Sequence, residues 1–120
     1  MQDFRKLNIY KRAIEYCTKI YKFSTELPPD EKYGLISQMK RAVISVSLNI
    51  AEGAGCNTDK EFSQFISYAY RSVNEVLTCL ELSIKLRLAK DTREIGDLIG
   101  EGIELSKMIY GFSKRLNTNL

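Results

Sequence analysis

Histidine and tryptophan are absent from these 120 residues, proline occurs twice and cysteine three times. Each shortage excludes something. Histidine titrates near neutrality unaided, so it dominates general acid–base work and nucleophile activation. Without it an enzyme must rely on perturbed carboxylates, lysine or a bound metal, and a chain with no catalytic residues is expected. Cys17, Cys56 and Cys79 are odd in number and far apart, which argues against a disulfide framework. They cannot complete a four-ligand zinc site alone. The Glu-x-x-His pairs of di-iron bundles are missing too, so neither a metal nor a cofactor is expected. No apolar run approaches the roughly 20 residues that cross a bilayer. The opening MQDFRKLNIYKR is charged throughout, unlike a secretory leader. A soluble, cytoplasmic protein with no membrane partner is the expectation.

The two prolines are adjacent, Pro28–Pro29, and no strand-like alternation is sustained. Apolar residues at helical spacing mark four segments. The first, about Arg5 to Glu26, carries the seam Leu7, Tyr10, Ile14, Cys17 and Tyr21 and ends at the prolines. The second starts near Asp30 as N-cap and runs to about Glu52, with Gly53 in a left-handed cap. The third opens at Thr58, with Glu61 at capping-box spacing. Its stripe is Phe62, Ile66, Ala69, Val73, Leu77, Leu80, Ile84 and Leu88. The fourth opens near Asp91–Thr92 and carries Ile95, Leu98, Leu105, Ile109, Phe112 and Leu116. Its acids come first and its bases last, the order that suits the helix dipole. The polar tail Asn117–Leu120 is expected to fray. Short loops make sequential helices antiparallel, so an all-α, up-down-up-down four-helix bundle over residues 1–120 is the economical fold.

The stretch SVSLNIAEGAG, Ser45 to Gly55, raises a question about partners. Ile36, Met39, Val43, Val46 and Ile50 already form one heptad seam, which would satisfy a bundle. Leu35, Ala42, Ile44, Leu48 and Ala51 lie off it, and Ala42 to Ala51 carries no charge. A helix apolar nearly all round is buried nearly all round. Two readings stay open: self-association through Leu35, Ile44 and Leu48, which is favoured, or a central position in a compact monomer. The polar residues of this helix fall on one line: Gln38, Arg41, Ser45, Asn49 and Glu52. A hairpin about Cys56 would bring Glu75 to Arg41 as its carboxylate. Such a cluster is expected to fix register or docking; an active cluster of Arg41, Glu52 and Glu75 is the rival reading.

Charge is uneven along the chain. Up to Leu27 there are six Lys/Arg against three Asp/Glu, and from Pro28 onward twelve of each. Arg5, Arg12 and Lys19 recur every seven residues, with Lys22 beside them. Repeated around an oligomer, that face would attract RNA or DNA phosphates; the plain alternative is a solvated helix face with pairs such as Lys11–Glu15. Tyr10 and Tyr21 fall on the proposed core seam. In the fourth helix, GDLIG (Gly96 to Gly100) has the small-xxx-small spacing of a close backbone approach.

The run EKYGLISQMKRAVISVSLNIAEG, followed by KEFSQFISYAYRSVNEV, closely resembles the family of 23S rRNA intervening-sequence proteins. The matched residues are Glu31, Gly34, Leu35, Gln38, Arg41, Ala42, Asn49, Ile50, Ala51, Glu52, Gly53, Glu61, Phe62, Ser72 and Glu75. The opening DFRKLNIYKRA is similar too, with Tyr10 where the family often has Trp. The loop GAGCNTDKEF departs from the pattern, with Cys56 and Asn57 where a basic residue is common. The resemblance implies a four-helix bundle that assembles as a ring, typically a homopentamer, with no catalytic activity. It also implies a link to RNA, since some members are encoded inside rRNA-gene insertions. Accessory proteins of diversity-generating retroelements look like the same fold. A non-enzymatic assembly or adaptor module that binds RNA or DNA is therefore expected. The alternatives are a structural ring that docks a protein partner and, more remotely, a carboxylate–metal enzyme.

Overall fold

The computed structural model describes residues 3–118, and every regular element among them is helical. A 3-10 turn, Phe4–Lys6, precedes α1 (Asn8–Ser24). A second 3-10 turn, Pro29–Glu31, leads to α2 (Leu35–Ala54), followed by α3 (Asp59–Lys85) and α4 (Arg93–Thr118). Each long helix packs on its sequence neighbour, and α1 also packs on α4. The result is a four-helix body measuring 45 × 24 × 20 Å.

Local chemistry explains where the helices begin and end. Thr58 caps α3 as its spacing predicts: Oγ1 accepts from the Glu61 amide at 3.1 Å, and its hydroxyl donates to Glu61 Oε1 at 2.9 Å. Asp30 caps nothing. Pro29 suits the first position of a helical turn, so the prolines open a separate 3-10 turn, and α2 starts after Gly34. There the Leu35 amide donates to Glu31 Oε1 at 3.2 Å. Gly53 does not stop α2, and no described glycine has a positive φ. Its requirement is space: a Cβ on Gly53 would lie 2.8 Å from Phe62 Cδ1 and 2.9 Å from Phe65 Cβ. Among the described residues the one positive φ, 59° at Arg87, closes α3. Leu88 N–H reaches Ser83 O and Arg87 N–H reaches Ile84 O, both at 2.9 Å, a Schellman end with arginine in the place glycine usually takes. Leu88 therefore packs on the core from beyond the helix.

The core corrects one stripe. In α1 the buried side chains are Ile9, Ala13, Tyr16, Ile20, Phe23 and Ser24; of the expected seam, Leu7, Tyr10 and Cys17 are partly buried against the core, whereas Ile14 is 40% exposed and Tyr21 37%. Both stripes of α1 have 3-4 spacing, so periodicity cannot choose between them. The winning stripe faces α4 as well as α2, and Tyr16 donates to Leu98 O at 2.9 Å. Met39, Val43, Val46 and Ile50 of α2 are fully buried, with Ile36 half-buried. The stripes expected for α3 and α4 sit on or against the core, and α3 adds a second one through Ser72, Val76, Cys79 and Ser83. The GDLIG glycines approach nothing within 4 Å. The close approach is at Gly102, where a Cβ would overlap the Tyr16 hydroxyl and lie 2.7 Å from Leu77 Cδ2. Asn117 does not fray: it remains helical and accepts from Ser63 Oγ at 2.8 Å. The end of the expected frayed tail, residues 119–120, lies outside the described residues.

Candidate functional site

The polar line of α2 is exposed at its ends and linked in its middle. Arg41 is exposed and donates to Gln38 Oε1 one turn back; it forms no ion pair with Glu75. The expected Arg41–Glu75 contact fails because both side chains point to solvent, where an arginine needs no carboxylate. Glu52 is exposed as well. The link across helices comes from smaller groups. Asn49 Nδ2 donates to Ser45 O and Ser45 Oγ, each at 2.9 Å. Ser45 Oγ lies 3.0 Å from Ser72 Oγ, which lies 3.0 Å from Tyr68 O. One proton per hydroxyl gives a consistent chain: Asn49 to Ser45, Ser45 to Ser72, Ser72 to the Tyr68 carbonyl. It contains no ionisable group, so it links α2 to α3 and holds no base that could activate either serine. The Ser45–Ser72 contact was not read from the sequence, since serines at helix interiors carry no spacing that identifies a partner.

The basic residues of α1 are engaged within the subunit. Arg12 donates to Glu104 Oε1 at 2.8 Å and Lys19 to Glu101 Oε2 at 3.0 Å, both across the seam with α4. Glu104 is held below the usual carboxylate range by the Arg12 hydrogen bond, which in turn raises Arg12. Lys22 shares a cleft with Lys19, Glu94, Asp97 and Glu101. Arg5 pairs with Asp3 at 3.2 Å. Periodicity found these cations; the α4 acids opposite them are what it could not show.

The other flank of α1 is different. A groove of about 390 Å³ runs between α1 and α2, lined by Phe4, Tyr10, Ile14, Cys17, Ile44, Ser47, Leu48 and Ala51. No lining side chain is charged. Ile44 is 37% exposed and Leu48 55%. Burial raises the Cys17 thiol above its ordinary pKa. The Ser47 hydroxyl is buried and makes no hydrogen bond among the described residues. The misplaced seam of α1 thus supplies one wall and the off-seam residues of α2 the other. Leu35, the third interface candidate, is buried and lines a cleft on the opposite flank of α2 with Gln38, Arg71, Glu75, Cys79 and Leu82.

Among the described residues no three of Cys, Asp and Glu gather where a metal ion could be held. None of the described helices is long and apolar enough to cross a membrane.

No curated protein matches the sequence. A solved structure from Bacteroides thetaiotaomicron, a protein of unknown function from the S23 ribosomal protein family, superposes with a TM-score of 0.79 at 21% identity. The match covers 88% of this chain and 98% of that one, and it establishes the likeness of fold. Residues 5–111 match the profile described as 23S rRNA-intervening sequence protein, and the chain belongs to that family.

Proposed function

We propose that the chain is a non-enzymatic, self-assembling module: an up-down-up-down bundle whose copies join through the α1/α2 groove into a closed ring. The observation that carries this reading is the groove itself. Its lining has no charge, and it leaves Ile14, Ile44 and Leu48 partly exposed beside a buried hydroxyl with no partner among the described residues. Contiguous apolar surface of this kind is covered in a working protein. The occupant we assign is a second copy of the chain. A ring needs two unlike surfaces on each subunit, one meeting the other on the next copy. The α2/α3 cleft on the opposite flank of the same helix, where Leu35, Cys79 and Leu82 lie among Gln38, Arg71 and Glu75, is the second surface of the reading. Five subunits is the number the family resemblance implies. Nucleic-acid binding along Arg5, Arg12, Lys19 and Lys22 is the weaker reading, because Arg5, Arg12 and Lys19 each pair with an acid of the same subunit. Native mass spectrometry tests assembly: the expected species is several times the 13.8 kDa chain. A single species at the chain mass at micromolar concentration would overturn the reading.

A further inference from the structure

Among the described residues, Ser47 Oγ is the one buried side-chain polar atom without a hydrogen bond, and Ser47 forms part of the wall of the α1/α2 groove. The residue is only 9% exposed, and every other lining side chain is uncharged. A buried hydroxyl left unpaired is costly, and so is a charge brought into such a groove. The occupant that suits both conditions has an apolar body and one neutral hydrogen-bonding tip. Tyrosine has that make-up.

One tyrosine is placed to play this part. Tyr33, in the turn before α2, is 88% exposed, and its hydroxyl has no hydrogen bond among the described residues. The other exposed apolar side chains outside the groove fit less well. Tyr68 accepts from Gln64 at 2.9 Å, Tyr110 packs on Tyr70 at 6.0 Å, and Tyr21 lies under the Lys40 ammonium at 5.0 Å. Leu82, Leu86 and Ile103 carry no polar atom. Tyr33 cannot fill the groove of its own subunit. Ser47 stands 12 residues beyond Leu35, about 18 Å along α2 at 1.5 Å per residue, which is farther than a tyrosine side chain extends.

Building on the assembly reading above, we propose that Tyr33 of one copy inserts into the α1/α2 groove of the next. Its ring packs among Ile14, Ile44 and Leu48, and its hydroxyl hydrogen-bonds Ser47 Oγ. Aromatic anchors seated in pockets of this kind carry a large share of interface energy. Tyr33 adjoins the α2/α3 cleft through Leu35, so knob and groove lie on unlike surfaces of the subunit, as a ring requires. The Lys32 ammonium, 5.4 Å from the Tyr33 ring centre, belongs to an exposed side chain and stays in solvent at the rim.

Sedimentation equilibrium of the full chain gives the dissociation constant per interface. Tyr33→Ala should raise it about tenfold or more, as removal of an aromatic anchor does. Tyr33→Phe and Ser47→Ala should each raise it about threefold to tenfold, the effect of one lost hydrogen bond. The double variant should raise it no more than either change alone, because both remove the same contact. Tyr33 is exposed in the subunit, so its variants should fold as the wild type does, which circular dichroism checks. In a separate experiment, Tyr33→p-benzoylphenylalanine is irradiated in the assembled protein and the cross-links are mapped by peptide mass spectrometry. They should join copies and fall on the peptides that line the α1/α2 groove. A monomeric wild type would overturn the assembly reading and this inference together. A wild type that assembles, is dissociated by Leu48→Glu and is indifferent to Tyr33→Ala would overturn this inference alone. Additive effects of Tyr33→Phe and Ser47→Ala, or cross-links outside the groove, would overturn it as well.

Discussion

The two flanks of α1 are finished to different degrees. Toward α4 its side chains find their partners within the subunit: Arg12 on Glu104, Lys19 on Glu101, Tyr16 on the Leu98 carbonyl, and Gly102 admitting the Tyr16 ring. Toward α2 its outer stripe borders an uncharged groove with Ile14 and Leu48 in view and the Ser47 hydroxyl without a hydrogen bond among the described residues. Polar pairs and a close fit complete the first seam. The second has the composition of a core and lacks the atoms to cover it. On the proposed assembly, the groove flank is the side that another copy would cover.

Breaking the closed seam should have the largest effect. Gly102→Val would drive a branched side chain into Tyr16 and Leu77. The expected loss is about 3 kcal/mol or more, as overpacking of a tight core gives, read from the midpoint of urea unfolding. Tyr16→Phe removes only the hydroxyl that bonds Leu98 O. About 1 kcal/mol should be lost, with the urea slope unchanged.

The charged rim of that seam should respond to pH in two opposite senses. Glu104 is lowered by its hydrogen bond from Arg12, so its contribution is present above the unfolded glutamate pKa and lost as pH falls through the folded value. Glu26 is raised, first by its hydrogen bond with Glu94 and then by burial, against the pull of Lys22. Its contribution is present below the unfolded pKa and lost as pH rises through the folded one. Glu104→Gln should therefore flatten the acid side of the stability profile, and Glu94→Ala should remove the stabilisation seen at low pH. Both effects are small, because the groups are exposed.

The open seam should show a change of the opposite sign. Ser47→Ala deletes a buried hydroxyl with no partner among the described residues. Subunit stability should be unchanged or should rise by up to about 1–3 kcal/mol, the cost of an unsatisfied polar group. If a neighbouring copy supplies the missing partner, the same change weakens assembly.

Much of the fold was legible because the long helices carry apolar stripes and α3 opens on a capping pair. Thr58 with Glu61 began α3, and the α2 and α4 stripes reached the core they were assigned. The failures have specific causes. Two stripes on α1 share the same spacing, and only the position of α4 decides between them. Arg87 closes α3 in a conformation usually left to glycine, so the sequence carries no stop there. Gly53 and Gly102 are needed for close contact across helices, which no local pattern records. The candidate surface was half visible: Ile44 and Leu48 were found as an off-seam strip, while Ile14 and Cys17 were assigned to the core.

The most direct measurement compares two charges placed on exposed apolar positions. Leu48, 55% exposed, lies in the open groove; Tyr110, 53% exposed, lies on α4 away from it. Sedimentation of the wild type, Leu48→Glu and Tyr110→Glu at the same concentration separates a covered groove from general surface stickiness. Neither charge should unfold the subunit, since surface changes usually stay within about 0.5 kcal/mol. The account predicts an assembly for the wild type and for Tyr110→Glu, and a folded monomer for Leu48→Glu. A monomeric wild type, or an assembly that survives Leu48→Glu unchanged, would contradict it.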